Sequence, residues 1–252
     1  IKGFVLWFVS GSPHKSTELI NKKYPNIKTF EVSAKNAQDV DDLLKSIVKE
    51  KRTYLDYFSS LDDKNYSRLV IVSTPVWESS VTIDKLDIVI DNGYEFGKTY
   101  DLFKLCEVSE TSYISKGQAK QRKGRTGRSN QGICYRLYTE KTYEKFLDDP
   151  IAPILTNNII GDIWNFSKTI ENCTLKKLIE YTNQLIQPPV VPKQKIYFKL
   201  LYDLGLFESW DENAKISKFG ELVQKTDTTT ELYLNVALAS SVKYSCSLEM
   251  CI

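Results

Sequence analysis

Two periods of apolar positions alternate along the first half of the chain. Phe4 to Val9 is an unbroken apolar run, as expected of a strand covered on both faces. Ser12-Pro13 supplies a helix cap with proline at the first helical position, opening a helix to about Lys22. Ile27 to Ser33 reads as a second strand. Val40, Leu43, Leu44, Ile47 and Val48 then recur at helical spacing. Arg68 to Ser73 and Asp87 to Ile90 are β-branched runs that end at polar turns, and Gly132 to Thr139 is the last strand. Strands alternating with amphipathic helices imply a parallel sheet with right-handed crossovers.

From Tyr94 to Ser112 the pattern becomes two polar-aromatic strands about a turn near Asp101, a β-hairpin with no type I′ dipeptide at its tip. Beyond Pro150 the chain turns helical, with apolar positions at helical spacing over Leu155 to Phe166 and Leu175 to Ile186. Gln187 to Pro192 is a stiff extended connector. It leads to a helix carrying Ile196, Leu200, Leu201 and Leu204 on one face, stopped by Gly205. A short hairpin follows, with its turn at Asp211 to Asn213, and Ser217 is placed to cap another helix. Helix, helix, short hairpin is the layout of a winged helix.

Composition narrows the class. The 252 residues are 42% hydrophobic and 26% charged, which is globular rather than disordered. The net charge of +2 conceals a local asymmetry. Thr111 to Thr139 holds no Asp or Glu but carries Lys116, Lys120, Arg122, Lys123, Arg125, Arg128 and Arg136, a field suited to a polyanion. Five cysteines without a CxxC pair, and a single histidine, argue against structural zinc and for a reducing, intracellular setting, cytoplasmic or nuclear. No apolar run approaches the roughly 20 residues that span a bilayer. A first strand entered directly, without Met, fits a chain cut from something longer.

The strongest chemical signal is Gln121-Arg122-Lys123-Gly124-Arg125-Thr126-Gly127-Arg128. Gln121, Arg125 and Arg128 fall at i, i+4 and i+7, so on a helix or a helix-to-loop junction they share a face. Two guanidiniums on one rigid face can grip phosphoryl oxygens bidentately, and a nearby glutamine can orient an attacking water. Those are the requirements of arginine fingers in phosphoryl transfer. Gly124 and Gly127 remove side chains where backbone must pass close to a ligand. A solvated basic patch is the plain alternative, and the regular spacing argues against it. Upstream, Ser73 to Asp84 places hydroxyls at the carboxyl end of a strand, where α/β sheets bind ligands. A Ser/Thr-rich loop capping a helix would read equally well.

These two segments, in this order and separated by a hairpin, resemble motifs V and VI of DEAH-type superfamily 2 helicases. Phe4 to Gly11 looks like motif IV, Leu200 to Leu206 like the family's winged-helix segment, and Ala237 to Cys246 like the start of its helical ratchet domain. The resemblance implies an α/β RecA-like domain with a parallel sheet and protruding β-hairpin over residues 1–150. A mostly α winged-helix domain over 151–227 and the start of a ratchet domain over 228–252 would follow. It implies that Gln121, Arg125 and Arg128 act on the γ-phosphate and attacking water of ATP, that Thr82, Asp84 and Gly124 lie at the nucleotide, and that Thr74 and Ser80 meet the nucleic-acid backbone. Single-stranded RNA, traversed 3′ to 5′, is the implied partner, DNA being the other candidate. Pro75 and Trp77 stand where the family usually has Asn and Ala. Tyr54, Tyr57 and Phe58 are candidates for stacking on adenine.

No G-x-x-x-x-G-K-[ST] cradle is present, and Gly97-Lys98-Thr99 falls in the expected hairpin rather than between strand and helix. The resemblance assigns that cradle and the Mg²⁺ ligands to a preceding RecA-like domain, so the chain alone is expected not to hydrolyse ATP. Competing expectations are a non-catalytic winged-helix nucleic-acid-binding module and a helicase-derived regulatory module. Abundant Lys, Asn, Ile and Tyr suggest an AT-rich genome, which fits a viral source.

Overall fold

A computed structural model describes residues 3–79, 83, 85–128, 131–226 and 231–246. They divide into two compact units, one of residues 1–97 and 109–150, the other of 98–108 and 151–252.

The first unit is an α/β layer structure. Its strands are β1 (Gly3–Phe8), β2 (Ile27–Val32), β3 (Arg68–Ser73), β4 (Ile88–Asp91) and, later in the chain, β7 (Ile133–Arg136), in the order β2-β3-β1-β4-β7 with every pairing parallel. Alternation along the strands decides which face each residue covers. Phe4, Leu6, Phe8, Leu69, Ile71 and Val89 pack against helices α2 (Ala37–Lys49) and α3 (Tyr54–Asp62). Val5, Val9, Val70 and Val72 form a second cluster on which Ile20 of α1 (His14–Lys23) packs. The stripe expected on α2 is present, with Val40, Leu44 and Ile47 buried, while Val48 is exposed. Helix α3 had no clear signature in the sequence. Thr53 Oγ1 caps it by accepting the Asp56 N–H, and Phe58 seats it in the core.

The hairpin forms as expected, from β5 (Tyr94–Asp101) and β6 (Cys106–Tyr113). Its four-residue turn needs no Asn-Gly, because Asp101 Oδ1 accepts the Phe103 and Lys104 N–H groups at 3.0 and 3.1 Å. Helices α4 (Lys116–Lys123) and α5 (Glu140–Tyr143) flank β7, which is half as long as the apolar pattern suggested.

The second unit is helical: α6 (Pro153–Thr156), α7 (Ile160–Phe166), α8 (Leu175–Asn183), α9 (Val191–Asp203), α10 (Lys218–Lys225) and α11 (Leu232–Lys243). The run from Leu155 to Phe166 is two helices rather than one, because Asn158 Oδ1 takes the Ile160 N–H and restarts the helix there. On α9 the most buried side chains are Tyr197, Phe198 and Leu201, with Ile196, Leu200 and Leu204 half-buried beside them. The short antiparallel pairing of Phe207 with Ile216 is present, and Ser217 caps α10 through the Gly220 N–H. Leu102 from the hairpin turn and Leu232 and Ala239 of α11 share this unit's core.

Cys173 lies in that core, and burial pushes its thiol up to about 11. At pH 8 it should therefore react with a disulfide reagent far more slowly than exposed Cys106 and Cys246, its rate climbing tenfold per pH unit towards 11. Thiol titration followed by peptide mapping reads this directly, and equal labelling of Cys173 and Cys106 at pH 8 would contradict it.

Candidate active site

Parallel register lines up Ser73, Phe8, Asp91 and Arg136 at the carboxyl edge of the sheet. Chain segments leaving this edge carry most of the residues singled out in the sequence. After β3, the Thr74 N–H bonds to the Val32 carbonyl at 3.0 Å, and Pro75–Trp77 makes a single 3-10 turn. Trp77 is fully buried in the sheet's core, so the turn is nailed down and delivers Glu78 inward. Thr74 is half-buried at the strand's end. Ser80, Thr82 and Asp84 lie outside the described residues.

Helix α4 begins at a capping box. Ser115 Oγ accepts the Gln118 N–H, and the Gln118 side chain accepts the Ser115 N–H in return. The helix stops at Lys123, so only Gln121 of the three expected catalytic residues is helical. Arg125 and Arg128 stand on the turns that follow. Each guanidinium folds back on the carbonyl four residues earlier, Arg125 Nε on Gln121 O at 3.5 Å and Arg128 Nε on Gly124 O at 3.1 Å. Gln121 and Arg128 are exposed and Arg125 is half-buried. Burial first, and then the charge of Arg128, hold the Arg125 guanidinium below its ordinary pKa, so the two cations act on one another. Thr126 Oγ1 ties the loop to the Leu86 carbonyl at 2.6 Å. Gly132 permits this, since a Cβ there would lie 2.7 Å from the Gly127 nitrogen and closer still to the Thr126 hydroxyl. Gly124 ends the helix, its nitrogen bonded to the Lys120 carbonyl at 2.8 Å.

The dominant residue is one the sequence reading passed over. Arg122 is wholly buried. Its Nε donates to Glu78 Oε1 at 2.5 Å, its Nη1 to Asp91 Oδ1 at 2.8 Å and Asn92 Oδ1 at 3.2 Å, and its Nη2 to the Tyr94 carbonyl at 3.2 Å. The guanidinium also sits 5.1 Å above the Phe8 ring. Asp91, equally buried, accepts the Gly93 N–H through Oδ1 and the Tyr138 hydroxyl at 2.7 Å through Oδ2. Gly93 has φ +79°, and a Cβ there would lie 2.5 Å from the Tyr138 ring. Burial raises the Glu78 carboxyl above its usual range, against the opposing pull of Arg122. The basic cluster hid Arg122 among its neighbours. The signal that could have found it was a pair of acids, Glu78 and Asp91, set in otherwise apolar or hydroxyl-rich runs.

The aromatic candidates lie elsewhere. Phe58 is core, and Tyr57 meets the Arg52 guanidinium at 5.0 Å. Tyr54 packs edge-on against Phe4 and lines a cavity of about 570 Å³ with Gly3, Leu69 and Asp87, at the amino ends of the strands. None of the three stands at the carboxyl edge. At the root of the hairpin, exposed Tyr94 and Tyr113 stack with ring centroids 4.9 Å apart.

Removing one partner of a buried ion cluster strands the others, at a cost of about 3–5 kcal/mol. Arg122→Ala should lower unfolding stability by that amount in urea titration. A loss below about 1 kcal/mol would mean that the cluster is not an anchor.

No protein-family profile matches the chain. Over 193 residues, 75% of its length, it is 34% identical to a protein of Acanthamoeba polyphaga mimivirus named as an ATP-dependent RNA helicase, of which it covers 26%. Two DExH-box ATP-dependent RNA helicases of Arabidopsis thaliana are each 32% identical over 157 residues, 62% of the chain, which covers 12% and 10% of them. The chain thus spans about a quarter or less of the curated relatives it matches. Among solved structures, two of the E. coli DExH-box NTPase HrpB superpose with TM-scores of 0.75 and 0.73 at 20% identity, covering 96% and 95% of the chain and 27% and 28% of theirs, a likeness of fold. The sequence homologues of this chain are DExH/DEAH-box RNA helicases, and over nearly its whole length the chain shares the fold of the two HrpB structures.

Proposed function

We propose that the chain is the rear part of an ATP-dependent RNA helicase. Residues 1–150 are its second RecA-like motor domain, 151–227 its winged-helix domain and 228–252 the start of its ratchet domain. One observation carries the reading: Arg125 and Arg128 stand together just beyond a helix that Arg122 anchors to Asp91 at the carboxyl edge of a parallel sheet, on a loop that Thr126 ties to the Leu86 carbonyl ahead of β4. Two neighbouring guanidiniums with a glutamine one turn away fit the oxygens of a triphosphate and its attacking water. Bound ATP supplies the phosphoryl group, and Arg125, Arg128 and Gln121 neutralise its growing charge and orient the water. Thr82, Asp84 and Gly124 line the nucleotide. Among the described residues no cluster of His, Cys, Asp and Glu is arranged to hold a metal ion, and the Mg²⁺ ligands are assigned to a preceding RecA-like domain.

Thr74 and Ser80 grip the RNA backbone, with 3′ to 5′ travel, and the stacked tyrosines Tyr94 and Tyr113 offer a platform for an unpaired base. The protein would work inside the cell, and a viral source agrees with the mimivirus relative. No helix of the described residues is long and apolar enough to cross a membrane.

An arginine finger contributes about 10³ to 10⁵ in turnover. Arg128→Ala in the full-length protein should therefore cut ATP hydrolysis by at least a thousandfold while RNA affinity stays within a few-fold. Unchanged turnover removes the assignment. The isolated 252-residue chain should release no phosphate from ATP in a malachite-green assay, and turnover there would overturn the division of labour between two motor domains.

A further inference from the structure

We infer that the cavity at the amino ends of the strands binds an amphipathic anion, a small molecule with a flat apolar body and a carboxylate or phosphate group. The cavity lies at the other end of the sheet from the edge where Arg122 meets Asp91, so the inference stands apart from the helicase reading above.

Its volume of about 570 Å³ is that of a small-molecule site. Burial grades from floor to mouth. Phe4 and Leu69, at the starts of β1 and β3, form a buried floor, and Tyr54 and Leu55 of α3 a half-buried wall. The Tyr54 ring is held edge-on against Phe4 with centroids 5.1 Å apart, so the wall includes a fixed aromatic face. Val48, the one member of the α2 stripe that the fold leaves exposed, lines the same cavity. Around these apolar groups stand three cations, Lys51, Arg52 and Lys85, against one carboxylate, Asp87. That carboxylate is already committed. Its Oδ2 accepts the Phe4 N–H at 2.8 Å, an approach that glycine at position 3 permits, since a Cβ there would lie 3.1 Å from the same oxygen. The Thr53 hydroxyl is likewise taken up by the cap of α3. The charge left over at the cavity is therefore positive, and it draws an anion. The backbone gives an independent sign. Lys51 and Lys85 both have φ +57°, the left-handed region that glycine enters freely and other residues enter at a cost. Both side chains are exposed, so neither is there to fill space. A lysine just past the end of α2 also suits the helix dipole, a role that would show in stability and leave binding untouched.

The probe is 8-anilinonaphthalene-1-sulfonate, titrated by fluorescence into the full-length protein, with N-phenyl-1-naphthylamine as the same body without the charge. The expected result is a saturable site for the sulfonate, with the neutral amine bound about tenfold more weakly. Val48→Trp, which fills the mouth with an indole, should weaken both probes by about tenfold. Lys51→Gly should stay folded, because glycine suits φ +57°, and should weaken the sulfonate while leaving the amine unchanged. If Val48→Trp does not fold, as judged by its thermal melt, Lys51→Gly decides alone. In the wild type, 1-naphthoate and 1-naphthyl phosphate compete for the bound sulfonate, and the one effective at the lower concentration identifies the anionic group. Sulfonate affinity that ignores the folded variants overturns the inference, as does a neutral amine that binds equally well or a probe that neither competitor displaces. A full-length protein without a saturable site overturns it too, since another segment of the longer chain would then fill the cavity.

Discussion

A single guanidinium withheld from water organises the carboxyl edge of the sheet. A charge of this size is tolerated in the interior only when its donors are met and its charge is balanced. Arg122 meets both conditions by drawing in groups from three separate places: Glu78 after β3, Asp91 and Asn92 at the end of β4, and the carbonyl of Tyr94 at the start of the hairpin. Lysine could not do this. Its ammonium is a point donor, whereas the planar fork of arginine addresses several acceptors in fixed directions at once. The requirement runs outward from there. Asp91 needs Tyr138 on its second oxygen, Tyr138 needs room, and the room exists because residue 93 has no side chain.

The same constraint explains why Arg125 and Arg128 can be placed with precision although they are not on a helix. Pre-organised charge is useful to a developing phosphoryl transition state only if its support does not yield. Arg125 and Arg128 lie on turns, which are ordinarily mobile. Here the turn is fixed at one end by a helix whose last full turn is anchored through Arg122, and further along by the bond from Thr126 to the Leu86 carbonyl. Mutual repulsion between the two cations is accepted in return for their proximity, which a ligand carrying several negative charges would relieve.

Much of the first unit was legible because buried parallel strands are written as continuous apolar runs, and β1 and β3 fall within a residue of where those runs lie. Helix α3 was not legible, since its seat in the core is secured by Phe58 and by a threonine cap rather than by a long apolar stripe. The break between α6 and α7 was hidden for a similar reason: one asparagine side chain outweighs an apolar periodicity that would otherwise continue. At the site, spacing set Gln121, Arg125 and Arg128 on a helix or a helix-to-loop junction, and α4 ends at Lys123, which makes the segment the junction. Burial was the missing information. Nothing in the string Gln-Arg-Lys-Gly-Arg distinguishes the arginine that faces inward from its neighbours, because that depends on two acids, Asp91 and Glu78, that stand 31 and 44 positions away.

Two departures from the usual helicase pattern acquire a physical meaning in this light. Proline at 75 fixes one backbone angle and tryptophan at 77 fills the core where a small residue is customary, so both act on the short span between Thr74 and Glu78. The tryptophan brings a cost, since its indole nitrogen is buried without a hydrogen-bond partner. A cost of that kind is sustained only against a larger gain in apolar burial, and a ring of this size, wholly enclosed, provides one. The outcome is a stiffer segment than alanine and asparagine would make. Rigidity there holds the Glu78 carboxylate against the buried Arg122 guanidinium, which has no water to replace it.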